Sequence, residues 1–347
     1  MDVRTVSWQS GRTIFHSDAG MNTLKALALG RHQVMIVDEK VLRLHEHRLP
    51  PVQAITIAAS ERKKTLETVR GIYSQLTKMK VDRNTLIWCV GGGITTDVAG
   101  FAASTYMRGL AFILVPTTLL GQVDASIGGK CGVNFNGLKN LVGSFAHPTD
   151  VVLDHNFFQT LPDEEIRNGI AEMIKHACIV DNMLFERFET FDELSSQLKS
   201  GQTEALSLIG QSISIKINIV IQDEREGDKR KLLNFGHTFG HAIEAATGIS
   251  HGCAISIGMV MAARLSEELG LMKCSETDRL IRLLTRYGLP VSLPIEIDRI
   301  SEVLWHDKKK NNSQIDMVLL TEIGKAQIIP LSIQRLREFL HDLRKYK

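Results

Sequence analysis

Over the first 155 residues, short continuously apolar runs alternate with amphipathic stretches. Val34-Met35-Ile36-Val37 is apolar throughout and stops at Asp38. Ala54-Ile55-Thr56-Ile57 and Leu86-Ile87-Trp88-Cys89-Val90 have the same character, as does Ala111 to Val115, closed by Pro116. Runs of this kind, without polar alternation, predict strands covered on both faces, the pattern of a parallel sheet. Between them, Thr65 to Met79 places Leu66, Val69, Ile72 and Leu76 on one helical face, and a second helix is predicted from Thr95 to Tyr106. Strands and helices in this order predict a Rossmann-like α/β nucleotide-binding domain.

After Asp154 the periodicity changes. Helical patterns cover 163–179, 203–223, 234–247, 254–269 and 275–287, and a strand-like run returns only at 316–320. The predicted division is therefore an α/β domain over 1–155 and an all-α domain over 156–347. The cleft between them is the expected place for a site.

Composition narrows the class. Hydrophobic residues make up 44% and charged residues 23%, enough for a full core and unlike a disordered chain. A formal charge of +2 gives no global attraction to nucleic acid or to an anionic membrane, so any anion site must be local. Five cysteines, Cys89, Cys131, Cys178, Cys253 and Cys274, include no C-x-x-C pair, which fits a reduced, cytoplasmic compartment. The apolar stretches near 110–120 and 255–263 are shorter than a bilayer span, and Met1 to Phe15 lacks the apolar core of a signal peptide.

Four segments carry candidate chemistry. The strand at 86–90 runs into Gly91-Gly92-Gly93, then Thr95, Thr96 and Asp97. A strand, a glycine turn and a helix N-terminus bring backbone N–H groups close to an anion, although the G-x-G-x-x-G fingerprint is absent and Asp97 also fits a helix cap. Asn234 to His241 contains His237 and His241, four apart and so on one helical face, with His251 in a loop-like Ser-His-Gly beyond. Gly236 and Gly240 are poor helix formers there, which implies the close approach of something. Glu172 and Lys175 are three apart, either a surface ion pair or part of a metal centre with the histidines. Finally, Asp124 to Asn140 is rich in lysine, asparagine and glycine without apolar periodicity, a lining suited to a phosphate and hydroxyls more than to a helix or strand.

Taken in order, these motifs resemble the 3-dehydroquinate synthase family. The resemblance rests on Gly91-Gly92-Gly93 with Asp97, Arg108, Pro116 to Leu120, Asp124 to Lys130, and Lys139-Asn140. It continues through Ala171-Glu172 to Lys175, Asp223 to Glu226, Asn234 to His241, and His251-Gly252, so that it covers about 61–309. It implies a homodimeric lyase of the shikimate pathway that uses NAD and a divalent metal, zinc or cobalt. The substrate would be 3-deoxy-D-arabino-heptulosonate 7-phosphate, cyclised by transient oxidation, phosphate elimination, re-reduction and aldol closure.

The resemblance also implies roles. Glu172, His237 and His251 would bind the metal, and His241 would contact the substrate phosphate instead, with Lys130, Asn140 and Lys308 or Lys309. Arg108 would reach the neighbouring subunit's site. Asp124, Lys175, Lys216, Arg230 and Asn234 would surround the carbocycle and its carboxylate. Glu61, Lys64, Gly92, Gly93, Asp97, Thr117, Thr118, Lys130, Lys139, Phe157 and Thr160 would contact NAD, with Asp38 at its adenosine end. Two places depart from the family pattern: Cys253 stands where Glu is common, and Asn134-Phe135-Asn136-Gly137-Leu138 replaces a proline-containing loop. Competing readings are another sugar phosphate cyclase (a valiolone, deoxyinosose or aminodehydroquinate synthase), a metal-dependent polyol dehydrogenase of the glycerol dehydrogenase type, and a non-catalytic binding protein on the same fold.

Overall fold

A computed structural model describes residues 3–17, 26–27, 30–293, 299–300 and 314–342. The chain forms two compact units, Met1–Ile166 with Ser196–Leu206, and Arg167–Ser195 with Ser207–Lys347.

The first unit is built on a seven-stranded sheet. Its strands are β1 (Val3–Trp8), β2 (Gly11–Ser17), β3 (Gln33–Asp38), β4 (Gln53–Ile57), β5 (Leu86–Gly91), β6 (Phe112–Pro116) and β9 (Asp150–Leu153). They lie in the order β1-β2-β9-β6-β5-β3-β4, parallel except for the β1–β2 hairpin. Three of the apolar runs read from the sequence are its central strands β3, β5 and β6, almost wholly buried. The run at 54–57 is instead the edge strand β4, where Thr56 is exposed, which corrects the expectation that it is covered on both faces. Helices α1 (Glu39–His45), α2 (Leu66–Lys78) and α3 (Gly93–Thr105) follow β3, β4 and β5. From β3 the chain steps outward to β4 and then crosses back to β5. The direction of crossover therefore reverses between β3 and β5, and their carboxyl ends, Asp38 and Gly91, flank the crevice where doubly wound sheets bind ligands.

One expectation needs correction here. The segment to Asn140 is not irregular: β7 (Lys130–Phe135) and β8 (Leu138–Phe145) form an antiparallel hairpin. Its turn is Asn136-Gly137, with φ of 49° and 79°, the two positive values that a two-residue primed turn requires. Gly132 pairs with Gly143, and a Cβ on either would lie 2.6 or 2.4 Å from the opposite strand's carbonyl oxygen, so side chains are excluded where the strands touch.

The second unit is helical except for an antiparallel pair, which corrects the all-α expectation: β10 (Gln314–Glu322) contains the strand-like run expected at 316–320, and β11 (Lys325–Ser332) was not foreseen. The helices are α4 (Asp163–Val180), α5 (Asn182–Thr190), α6 (Leu194–Ser200), α7 (Thr203–Gln222), α8 (His237–Thr247), α9 (His251–Glu268), α10 (Cys274–Arg286) and α11 (Ile333–Asp342); α4, α6 and α7 include residues of the first unit. Among the described helices, α7 has the length and mean hydropathy (1.3) of a membrane span, yet half of it is buried inside the protein, as in a core helix.

Helices α8 and α9 meet backbone to backbone. A Cβ on Gly258 would sit 2.1 Å from the Gly236 carbonyl oxygen, and one on Gly240 would sit 2.7 Å from Ile255 Cδ1. The close approach implied by the glycines is thus helix against helix. The first turn of α9 is pinned in the same way on α4: the Gly252 N–H donates to Asn168 Oδ1 at 2.9 Å, and a Cβ there would lie 2.4 Å from Asn168 Cα.

Candidate active site

Those glycine contacts place three side chains together in the second unit. Glu172 is on the third turn of α4 and fully buried. His237 and His251 are the first residues of α8 and α9. The second is a correction, since His251 was expected in a loop: α9 begins three residues earlier than its apolar pattern suggests. Glu172 Oε1 lies 3.2 Å from His251 Nε2 and 3.5 Å from His237 Nε2, and one ligand atom from each of the three falls within 4.8 Å of the others.

Both rings are oriented from behind. His237 Nδ1 faces the Phe235 carbonyl at 3.1 Å, and His251 Nδ1 faces Glu244 Oε2 at 3.5 Å. With an ion between the rings and the carboxylate, a hydrogen on each Nδ1 would leave each Nε2 lone pair for that ion, the arrangement by which outer carboxylates and carbonyls orient metal-binding imidazoles. Burial pushes His237 down to about 3, so it is a neutral donor. Burial also acts to lower His251, but hydrogen bonds to Glu172 and Glu244 outweigh it and raise the group to about 9. The centre therefore favours positive charge beside Glu172. Two imidazoles and a carboxylate converging on one point suit a divalent cation with an open position, and the residues fit such an ion.

Around this centre, Lys175 is 1% exposed and its ammonium pairs with Glu172 Oε2, so the buried pair replaces the surface alternative. His241 lies one turn along α8, its ring 5.1 Å from that of His237 and 6.2 Å from that of His251; it is exposed and outside the three-ligand set. Lys216 and Arg230 are buried, and the Arg230 guanidinium donates to the Glu224 carbonyl. The loop that carries Arg230 is tied by Asp223, whose carboxylate accepts from the backbone N–H groups of Gly227, Asp228 and Arg230 at 2.7 to 3.0 Å. Partial burial acts to raise Asp223, but these backbone bonds outweigh it and hold the carboxyl below its ordinary range. Asn234 Nδ2 donates to Glu226 Oε1 at 3.0 Å, and both line a polar cavity of about 280 Å³ with Lys231, Asp316, Val318 and Ile328. Lys308 and Lys309 lie outside the described residues.

In the first unit the glycine turn is shaped by contacts. A Cβ on Gly91 would lie 2.6 Å from Thr95, one on Gly92 3.0 Å from Thr118 and one on Gly93 3.3 Å from Ala125. The Thr117 N–H donates to the Gly91 carbonyl at 2.9 Å, and Thr118 Oγ1 accepts from the Gly121 N–H at 3.0 Å, holding the two threonines against the turn. Asp97 is not a cap: α3 begins after Gly92, and Asp97 pairs with the buried Lys64 ammonium at 2.6 Å. Glu61 accepts from Asn134 Nδ2 at 2.8 Å, and Asn134 Oδ1 accepts from the Asn140 N–H at 2.9 Å, which joins hairpin β7–β8 to the same cluster. Asp124 lies on a single π-helical turn, Gly121–Ala125, followed by Lys130, which lines a small cavity with Asp97. Lys139 and Arg108 are exposed, and Arg108 has φ of 70° in the turn after α3.

Three further expected cofactor contacts have partners within the first unit. The Asp38 carboxylate caps α1, accepting from the Lys40 and Val41 N–H groups at 2.6 and 3.2 Å. Phe157 is 1% exposed in the apolar core. The Thr160 hydroxyl meets His45. Sequence reasoning missed Glu244 altogether: it stands seven residues from His251 with nothing local to mark it.

The architecture is that of the sugar phosphate cyclases. A 2-deoxy-scyllo-inosose synthase complexed with carbaglucose-6-phosphate, NAD+ and Co2+ superposes with a TM-score of 0.87 at 28% identity, covering 98% of this chain and 100% of that one. The 2-epi-5-epi-valiolone synthase of Streptomyces hygroscopicus subsp. jinggangensis 5008, with NAD+ and Zn2+ bound, superposes at 0.86 and 28% identity, covering 100% and 99%. Within that class, the chain belongs to the 3-dehydroquinate synthase family. Residues 54–168 match the family model described as 3-dehydroquinate synthase N-terminal, and 169–310 its C-terminal counterpart. The 3-dehydroquinate synthase of Enterococcus faecalis (strain ATCC 47077 / OG1RF) is 37% identical over 338 residues, 96% of this chain and 90% of that protein.

Proposed function

We propose that this chain converts 3-deoxy-D-arabino-heptulosonate 7-phosphate into 3-dehydroquinate and inorganic phosphate, a step of the shikimate pathway. The observation that carries the reading is identity with a 3-dehydroquinate synthase over nearly the whole chain, 37% against 28% for the cyclases that make other rings. Bound NAD would supply a hydride acceptor and donor, and a divalent ion, zinc or cobalt, would supply Lewis acidity at the hydroxyl that is oxidised. Glu172, His237 and His251 hold that ion, with Glu244 and the Phe235 carbonyl setting the rings. Glu61, Lys64, Gly92, Gly93, Asp97, Thr117, Thr118, Lys139 and Thr160 bind the dinucleotide.

The remaining work is positioning and charge stabilisation. Lys130, Asn140, His241 and Lys308 or Lys309 hold a phosphate whose charge grows as it leaves, and removal of one such preorganised contact costs about 3 kcal/mol of barrier. Asp124, Lys175, Lys216, Arg230 and Asn234 orient the carbon chain and its carboxylate for ring closure. Oxidation and reduction cancel within one turnover. Phosphate should therefore accumulate from the heptulosonate phosphate, dependent on NAD, with no net rise in reduced nicotinamide absorbance. Stoichiometric NADH without phosphate would instead mark a polyol dehydrogenase, and preference for sedoheptulose 7-phosphate or glucose 6-phosphate would mark another cyclase.

The reading includes a cytoplasmic homodimer in which Arg108 serves the partner's site. Its exposed, positive-φ turn presents a guanidinium fork, which can make two charge-assisted hydrogen bonds to a phosphate where a lysine cannot. Mixing Arg108→Ala chains with Glu172→Ala chains, each nearly inactive alone, should restore up to about a quarter of wild-type activity, because half the dimers are mixed and one site in each is intact. No rescue after demonstrated subunit exchange refutes the shared site.

A further inference from the structure

The turn after β9 carries Phe157 and Thr160, and a side chain outside every role assigned above holds it in place. His45, the last residue of α1, is 5% exposed. Its Nε2 lies 2.7 Å from Thr160 Oγ1, and its ring meets the Phe157 ring edge to face at 4.9 Å. Because α1 starts at the carboxyl end of β3, His45 ties the segment behind one strand of the crevice to a turn 115 residues further along the chain. Packing alone does not call for a histidine here. Phe157 belongs to an apolar cluster with Met35, Val37, Leu49 and Val152, beside which an aliphatic side chain would bury no polar atom.

The second ring nitrogen decides where the proton sits. His45 Nδ1 is buried and has no hydrogen-bond partner among the described residues. A buried N–H without an acceptor is rarer than an acceptor lone pair left bare, so the hydrogen is on Nε2 and is donated to Thr160 Oγ1. Burial, with the charges of Arg48 and His47 beside it, keeps the imidazole below its usual range, so this neutral form persists around neutral pH. The Thr160 oxygen thus accepts from His45. Its own hydrogen is directed elsewhere, to the Phe157 carbonyl at 3.4 Å or to an acceptor on a ligand.

We propose that His45 is a positioning residue for the dinucleotide: its Nε2–H fixes the Thr160 hydroxyl as a donor toward the bound cofactor. This rests on the reading that Thr160 contacts NAD. The test is calorimetric titration of NAD into the full-length protein and its variants, with steady-state kinetics alongside. His45→Leu and Thr160→Val should each weaken NAD binding about tenfold, and the double variant should be no weaker than Thr160→Val, since the two act as one unit. His45→Leu should raise the KM for NAD while kcat at saturating NAD holds. His45→Gln, whose amide nitrogen reaches the same oxygen, should restore binding. If Thr160→Val weakens NAD but His45→Leu does not, or if the losses add in the double variant, His45 does not act through Thr160 and the proposal fails. If Thr160→Val leaves NAD binding unchanged, the cofactor contact itself is refuted, and the proposal with it.

Discussion

Replacing His251 with alanine should give a folded protein that no longer retains a divalent metal and has lost at least about a thousandfold in phosphate release, the scale on which an essential electrostatic group acts. The ring begins a helix and is partly exposed, so its loss removes little packing. The helix N-terminus is held independently by the Gly252 N–H on Asn168, and circular dichroism should be unchanged. What disappears is one of the two imidazoles that converge on a fully buried carboxylate, which keeps the neutral His237 ring beside it and the Lys175 ammonium as an ion-pair partner. Glu244→Gln should act through the same ring more mildly. It keeps a hydrogen-bond acceptor but removes the charge behind Nδ1, so metal affinity should fall by about 10- to 100-fold while excess metal restores most of the rate. Elemental analysis decides: stoichiometric metal retained by purified His251→Ala would remove His251 from the ligand set.

Gly258→Val should be the most destabilising single substitution away from the metal centre. Its first side-chain atom would lie 2.1 Å from the Gly236 carbonyl oxygen and 2.7 Å from the Gly240 nitrogen, both backbone atoms that cannot rotate away. The helices must separate, at an expected cost of more than about 3 kcal/mol, at the upper end of what overpacking produces. Separation of α8 and α9 also parts His237 from His251, so metal retention should fall with stability. Gly210, within α7, is the control, since a Cβ there meets nothing within 4 Å among the described residues. Gly210→Ala should be neutral or stabilise by about 0.5 to 1 kcal/mol through helix propensity. Urea unfolding midpoints compare the three proteins, and a Gly258→Val midpoint equal to wild type would show that the crossing is not as close as described.

Much of the first unit was legible because burial on both faces writes itself into consecutive residues. The runs at 34–37, 86–90 and 111–115 became β3, β5 and β6 within a residue or so of the expected ends, and the run at 54–57 became β4, which lies at the edge and is buried on one face only. The strands that escaped notice have weaker patterns. β9 is only four residues long, and β1, at the edge, and β2, next to it, have mixed exposure. The β7–β8 hairpin did carry its signal, Asn136-Gly137, but lysines and asparagines beside it read equally well as a binding lining. They can be both, because a hairpin presents polar residues on one face while Val133 is buried on the other. In the second unit, α8 and α9 begin at histidines rather than at the expected residues 234 and 254, because glycines in their first turns blur the apolar periodicity.

The candidate centre divides along the same line. Helical spacing alone put His237 and His241 on one face, since 3.6 residues per turn is a property of the backbone. It could not say which imidazoles would meet Glu172, 65 and 79 residues away along the chain. That selection is made where α4, α8 and α9 touch, at Gly236, Gly240, Gly252 and Gly258, which let backbones approach to distances no side chain permits. The sequence by itself determined the donor types and the local faces. The family resemblance named His251 with His237, and only the tertiary structure shows the distances and the Glu244 contact that bring it to Glu172, because close packing between distant segments is what sets distances across helices.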